Sequence, residues 1–363
     1  MQSNSRGMAD SDNIGEEDDL ATDAPAREIV AIDRGVVHQI CSGQVVLTLA
    51  TAVKELLENS LDAGATVVDI KLREMGSEMV EVSDNGHGVE QRNFRGMTVK
   101  HATSKLKEFT DLFSVETFGF RGEALSSLCA LSSMTISTRH KSSPTGTLMT
   151  YDHHGNILTS TTQARSVGTT VTLANLFSTM PVRQKEFHRS LKREFGKLIS
   201  VMSAYGLVSS GVKIMVTNSK VKGGRTVVVH TQGSENLRDN MVNIFGTKQM
   251  STLRPFSQVD LTEEDMAKAN IRLHGPLPTV KLEGFISSPV HGEGRGAPDR
   301  QFYFVNSRPC DPTKLVKLVN QVYHGYNRHQ FPFVCLNSNC LCLCMCVSVL
   351  SLFRKNAAMG FRV

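Results

Sequence analysis

The run VKELLENSLDAGA, residues 53–65, places Glu55, Glu58, Asn59 and Asp62 within two helical turns. Glu55 and Asn59 are four apart and share a helix face, with Asp62 one turn on. A carboxylate there can orient and activate a water for attack on a phosphoryl group. An amide oxygen beside it can bind Mg²⁺, a hard ion that takes oxygen ligands. Solvated helices show the same spacing, so other residues must decide. In VSDNGHGV, residues 82–89, Asp84 ends an expected strand and can accept a hydrogen bond from an exocyclic amine such as that of adenine. Gly86 and Gly88 let the backbone approach a flat ring; an ordinary Asn-Gly turn is the plainer reading. In HATSKLKE (101–108) and FGFRGEALSSL (118–128), glycines lead into a helix start near Glu123. Free N–H groups and a positive dipole end there suit a phosphate, and Lys105 adds a cation. A helix-start loop with no ligand fits the glycines alone. In GTTVTL, 168–173, Thr169 or Thr170 can bond a base or the Asp that reads it.

Helices and strands must carry these groups. Leu49, Val53, Leu56 and Leu57, with Ser60 on the same stripe, repeat at helical spacing, and Gly64 suits the C-terminal cap. VVHQICSG reads as a short helical turn ending in Gly43. TVVDIKLRE, EMVEVSD, SSMTISTRH, TGTLMTYD, NILTST and GTTVTLANL alternate as strands. Residues 181–209 read as one long helical segment with Pro181 in its first turn. After it, VKIMVTN, TVVVHT, LEGFISSP and RQFYFVN read as strands and about 312–325 as a helix. The fold class is α+β. The expected organisation is an acidic, disordered leader over 1–28, a first domain over 29–208, a second over 209–334 and a Cys-rich tail over 335–363.

The 363 residues carry a net charge of +5, yet residues 1–24 hold seven Asp/Glu and one Arg. The body is therefore more basic than the whole, which is compatible with a polyanionic partner. Lys185, Arg189 and Lys192 fall on one face of the long helical segment, with Arg193 beside them, as phosphate contacts to duplex DNA would require. A solvated flank has the same charge pattern. No apolar leader suits secretion, and no early stretch is long enough to span a bilayer, so no membrane partner is expected. Cys41, Cys129 and Cys310 read as buried apolar residues. Cys335, Cys340, Cys342, Cys344 and Cys346 lack zinc-site spacing.

Taken in order, Glu-x-x-x-Asn, Asp-x-Gly-x-Gly, a Gly-rich lid and Gly-Thr match the Bergerat (GHKL) nucleotide fold of gyrase, Hsp90 chaperones, histidine kinases and MutL. GFRGEAL resembles the signature of the MutL mismatch-repair family, as do AIDRGVVHQICSGQVV, STMPVRQKEF and RQFYFVNSRPCDP. The resemblance runs from about Ile32 to Phe333. HQICSGQVV and HGYNRHQFPFV look most like its post-meiotic-segregation (PMS) type. It implies a GHKL α/β sandwich followed by a ribosomal-S5-like domain, with ATP and Mg²⁺ bound in the first. Glu55 would be the general base and Asn59 the Mg²⁺ ligand. Asp84 would read the adenine amine, with Gly86 and Gly88 beneath the base and Thr169 supporting that end. Thr103, Ser104 and Lys105 would sit in the ATP lid. Gly119, Arg121, Gly122, Glu123, Ala124 and Leu125 would wrap the phosphates. Glu58 and Asp62 would be structural. Slow ATP hydrolysis would reset ATP-driven association of N-terminal domains. The partners implied are duplex DNA, a second MutL homologue as in the MutL-α complex, and a MutS-type mismatch-recognition complex, in the nucleus.

The chain departs from the family after about Val334. The family's last strand carries Asn-Val-x-Pro and a following lysine that reaches the γ-phosphate. CLNSNCLCLCMCVSVLSLFRKNAAMGFRV has no such motif, and Lys355 stands in the wrong context. The second domain is expected to be truncated there: a missing final strand would expose a sheet edge, and a missing lysine would impair turnover. No endonuclease-type metal motif is seen, so no nuclease activity is expected. The alternative to a working ATPase is an impaired module that binds ATP, DNA or partners.

Overall fold

The computed structural model describes residues 31–103, 105, 117–119, 121–257 and 280–340. The expected leader over 1–28, Ser104, and the tail beyond residue 340 with Cys342, Cys344, Cys346 and Lys355 lie outside the described residues.

The first half builds one eight-stranded sheet. Helices α1 (Arg34–Val45) and α2 (Leu49–Asp62) precede strands β1 (Val67–Arg73) and β2 (Met79–Asp84). Helix α3 (Ala124–Leu131) leads into β3 (Ser133–Arg139), β4 (Gly146–Tyr151), β5 (Ile157–Gln163) and β6 (Gly168–Ala174). Then come α4 (Pro181–Arg189), α5 (Leu191–Val208), β7 (Lys213–Ser219) and β8 (Arg225–His230). The strand order is β5-β4-β3-β6-β2-β1-β7-β8. All pairs are antiparallel except β1 with β7. The sheet therefore continues past the expected boundary at 208/209, because the buried Ile214 and Val216 of β7 pair beside Val68 and Ile70 of β1.

The apolar stripe of α2 explains its place. Leu49, Val53, Leu56 and Leu57 are at most 2% exposed and join the sheet's Ile70, Leu72, Val80 and Ile136 in one core. Thr48 caps the helix through its hydroxyl on the Thr51 N–H, and Gly64 follows its end at φ 70°. Among the polar side chains of α2, Glu58 and Ser60 are buried with the stripe, while Glu55 and Asn59 line a cleft.

The second sheet holds β9 (Leu253–Ser257), β10 (Val280–Ser287), β11 (Gln301–Val305), β12 (Arg308–Cys310) and β13 (Val334–Cys340). Helices α6 (Leu237–Phe245) and α7 (Thr247–Ser251) precede it, and α8 (Thr313–Tyr326) crosses between β12 and β13. Its order is β12-β11-β13-β10-β9. The second domain, expected to be truncated near residue 334, thus has a final strand beyond that point, and it is central. It pairs parallel to β11 and antiparallel to β10. Val334 and Leu336 pack with Leu315 and Val319 of α8 on one face. Phe333 and Cys335 pack with Met241 and Leu207 on the other. Apolar packing on both faces holds it in place of the family motif.

The long segment 181–209 is two helices, broken at Ser190. Helix α5 serves both cores: Leu198, Met202 and Tyr205 join the first, while Ala204 and Leu207 join the second. Cys129 and Cys335 are buried, Cys41 is half-buried, and Cys310 is exposed, contrary to its expected burial. Among the described residues no single helix is long and apolar enough to cross a membrane.

Candidate functional site

A cleft of about 720 Å³ opens between α2, the end of β2, the loop before α3, and β6. Glu55, Asn59, Asp84, Gly88, Thr103, Lys105, Gly119, Arg121, Gly122, Glu123, Ala124, Leu125 and Thr169 all line it. Of the expected site residues, Gly86 does not, and Ser104 lies outside the described residues.

At one end, Asp84 closes β2 with its carboxylate held by three donors. Oδ1 accepts from the Gly86 N–H at 2.9 Å and the Thr169 N–H at 3.1 Å, and Oδ2 from the Ser60 hydroxyl at 3.0 Å. Burial pushes its pKa upward. The bonds from Gly86, Ser60 and Thr169 and the Arg165 charge oppose that without cancelling it. Thr169 acts here through its backbone, since its hydroxyl pairs with Thr138 at 3.0 Å. Thr170 is turned to Ser83 at 2.8 Å. Gly86 is needed for packing: a Cβ would stand 2.8 Å from Ala63. Gly88 sits at φ 71°, where a Cβ would collide with the Arg139 carbonyl.

Ser60 escaped the sequence reading because it lies on the apolar stripe. Its hydroxyl shares one proton between the Leu56 carbonyl at 3.1 Å and Asp84. A hydroxyl on the apolar stripe, four after a core leucine, was the available signal.

Along α2 the cleft meets Asn59 and Glu55. Lys54 Nζ lies 3.1 Å from Glu55 Oε1 and 2.8 Å from Glu58 Oε2. Burial acts to lower the Lys54 pKa, but the Glu58 hydrogen bond and the two carboxylate charges outweigh it, so the pKa is raised. Glu58 is buried, as a structural role requires, and accepts from the Tyr205 hydroxyl of α5.

Asp62 does more than support the helix. Its Oδ1 accepts from the Phe118 N–H at 2.8 Å and its Oδ2 from the Gly119 N–H at 2.9 Å. Lys105 Nζ lies 2.5 Å from Oδ2 and 3.3 Å from Asn59 Oδ1. Two amides and an ammonium therefore converge on one carboxylate at this end, a donor set an anionic phosphate can also use. Gly122, at φ 62°, places its backbone against Ala102, where a Cβ would clash. Helix α3 begins at Ala124 with no side-chain cap, and Glu123, Ala124 and Leu125 line the cleft. The expected basic face stands apart from the cleft. Lys185, Arg189, Lys192 and Arg193 are exposed, but Glu186 pairs with Arg189 and lies 3.8 Å from Arg193.

A strand-end carboxylate, a carboxylate–amide pair on one helix face and converging N–H donors thus meet in or beside one cleft. Residues 47–176 match the family described as histidine kinase-, DNA gyrase B-, and HSP90-like ATPase. The first sheet thus contains a GHKL-type ATPase domain. Residues 258–342 match the family described as DNA mismatch repair protein, C-terminal domain. The chain is 54% identical over 314 residues to the human mismatch repair endonuclease PMS2, covering 86% of this chain and 36% of that protein. It is 45% identical over 306 residues to DNA mismatch repair protein PMS1 of Arabidopsis thaliana, covering 84% and 31%. A crystal structure of the N-terminal domain of a DNA repair protein matches with a TM-score of 0.78 at 34% identity, covering 90% of this chain and 97% of that one. The Aquifex aeolicus MutL ATPase domain complexed with ADP shares the fold, with a TM-score of 0.56 at 21% identity over 85% and 97%. The chain belongs to the PMS-type mismatch-repair proteins of the MutL family. It spans about a third of the length of the curated relatives it matches.

Proposed function

We propose that this chain binds ATP with Mg²⁺ and hydrolyses it slowly, as the N-terminal part of a MutL-type mismatch-repair protein. The observation that carries this is the Asp84 carboxylate, held by Ser60, Gly86 and Thr169 in the cleft that also contains Glu55 and Asn59. Asp84 accepts the adenine amine, and Gly88 keeps the wall beneath the base free of a side chain. Asn59 offers its amide oxygen to Mg²⁺. That ion, when bound, neutralises charge developing on the phosphates. Glu55 takes the proton of a water attacking the terminal phosphorus, and ADP and phosphate leave. Lys105, the Phe118 and Gly119 amides and the α3 N-terminus receive the phosphate oxygens.

In this reading ATP drives association of N-terminal domains with a second MutL homologue, and the protein meets a MutS-type complex in the nucleus; membership of the family supports this. Duplex DNA would lie against Lys185, Arg189, Lys192 and Arg193 through salt-dependent phosphate contacts. A second reading is a binding module without useful turnover. The sequence after Val334 favours it, since it lacks the family's Asn-Val-x-Pro and lysine.

The test is ATP binding and turnover by the chain beside Glu55→Ala, Asn59→Ala and Asp84→Asn. The enzyme reading expects Mg²⁺-dependent turnover that Glu55→Ala abolishes while binding is kept, and binding lost in Asp84→Asn. Binding without turnover in the parent selects the module. Binding that survives Asp84→Asn overturns both.

A further inference from the structure

The second sheet reaches the cleft through Arg308. This residue opens β12, and its Nη2 donates to the Thr117 carbonyl at 2.8 Å. Its guanidinium also lies over the Phe118 ring, 5.1 Å from the centroid. The other side of that loop is gripped from the first domain. Phe118 packs on Tyr205 of α5 at 5.9 Å, and the Phe118 and Gly119 amides donate to Asp62. Residues 117–119 are therefore clasped by α2, α5 and the second sheet together.

The hairpin that presents Arg308 is itself fixed. Asn306 and Ser307 form a two-residue turn at φ 49° and 61°, with Val305 opposite Arg308. Left-handed backbone at two successive non-glycine residues persists only where neighbours hold it. Here β13 does so: the Asn306 N–H donates to the Ser338 carbonyl at 2.9 Å, and the Ser307 N–H to Asn337 Oδ1 at 3.1 Å. Both partners belong to the stretch where the sequence leaves the family pattern.

We propose that Arg308 is a positioning residue for the phosphate end of the cleft. It transmits the placement of the second sheet to the 117–119 backbone, and so to Asp62 and Lys105. This rests on the reading of the cleft as an ATP site. A guanidinium can donate to a carbonyl and stack on a ring at once. A lysine ammonium keeps the charge but loses the planar fork.

The experiment compares the full chain with Arg308→Ala, Arg308→Lys and, separately, Asp84→Asn. Amide hydrogen exchange is read without nucleotide, and binding of a fluorescent ATP analogue and of adenosine is read by titration. In Arg308→Ala the Phe118 and Gly119 amides are expected to exchange about tenfold faster, the loss of one charge-assisted hydrogen bond. ATP binding weakens by a similar factor while adenosine binding is unchanged, and Arg308→Lys falls between. Equal weakening for ATP and adenosine means general destabilisation and overturns the proposal. So does unchanged exchange at 118 and 119, whatever the nucleotide result. If Arg308→Ala unfolds, Arg308→Lys decides by the same exchange readout. ATP binding that survives Asp84→Asn removes the ATP reading, and the exchange arm still judges the strut.

Discussion

Burial and hydrogen bonding pull Asp84 in opposite directions, and burial wins, so its carboxyl titrates above the ordinary Asp value. In the proposed site the ionised form accepts the amine, so nucleotide binding is expected to fall as pH drops through that raised pKa. Its acid limb then lies at higher pH than for an exposed Asp. Ser60→Ala removes a donor to the charged form, raises the pKa further and moves the limb upward again; titrating a fluorescent nucleotide across pH reads this. The same linkage makes the buried charge a cost to folding above that pKa. Tyr205→Phe leaves the buried Glu58 short of a donor. It should lower stability by about 1.5–3 kcal/mol, the range for a hydrogen bond to a charged group, measured by urea unfolding. That Glu55, Asn59 and Asp84 meet in one cleft was legible because spacing on a helix and at a strand end is written in the chain. Ser60 and the clasping role of Asp62 were not, because each depends on a partner 24 or 56 residues away that only the fold brings near.

Element by element, local pattern sufficed where one face is buried. Strands β1 to β3 alternate, and the apolar stripe of α2 survives intact from sequence to core. Pattern failed at β13, whose run Phe333–Leu336 has no alternation because both faces are covered. Pattern failed again at Ser190, where continuous helical composition hides a break. Since β13 is central, ending the chain at Phe333 should remove amide protection throughout β10 and β11 while leaving the first sheet protected. Hydrogen exchange with peptide resolution checks this. Gly284→Ala should act in the same direction, because a Cβ there, at φ 153°, would strike the Cys335 carbonyl of β13. Burial pushes the Cys335 thiol up to about 12, so it should stay unmodified by alkylating reagents in the native state, unlike the exposed Cys310.

At the scale of the whole molecule, α5 joins two cores, so damage to it should weaken both sheets together. The basic helices lie at the start of that spine. Lys185→Glu with Lys192→Glu should lower affinity for duplex DNA and reduce its salt slope by about 2, roughly one for each phosphate no longer neutralised. Glu186→Gln, which frees Arg189 and Arg193, should raise affinity. Filter binding across salt concentration checks both. The strand order also dictates a timetable for synthesis. The first sheet has all its strands once His230 has emerged, but β10 and β11 wait for residue 340 to supply the strand between them. At translation speeds of about 5–20 residues per second, that wait lasts a few seconds. Throughout it, Leu282, Ile286, Phe302 and Phe304 have no β13 beside them. A nascent chain in that interval is a natural client for a chaperone.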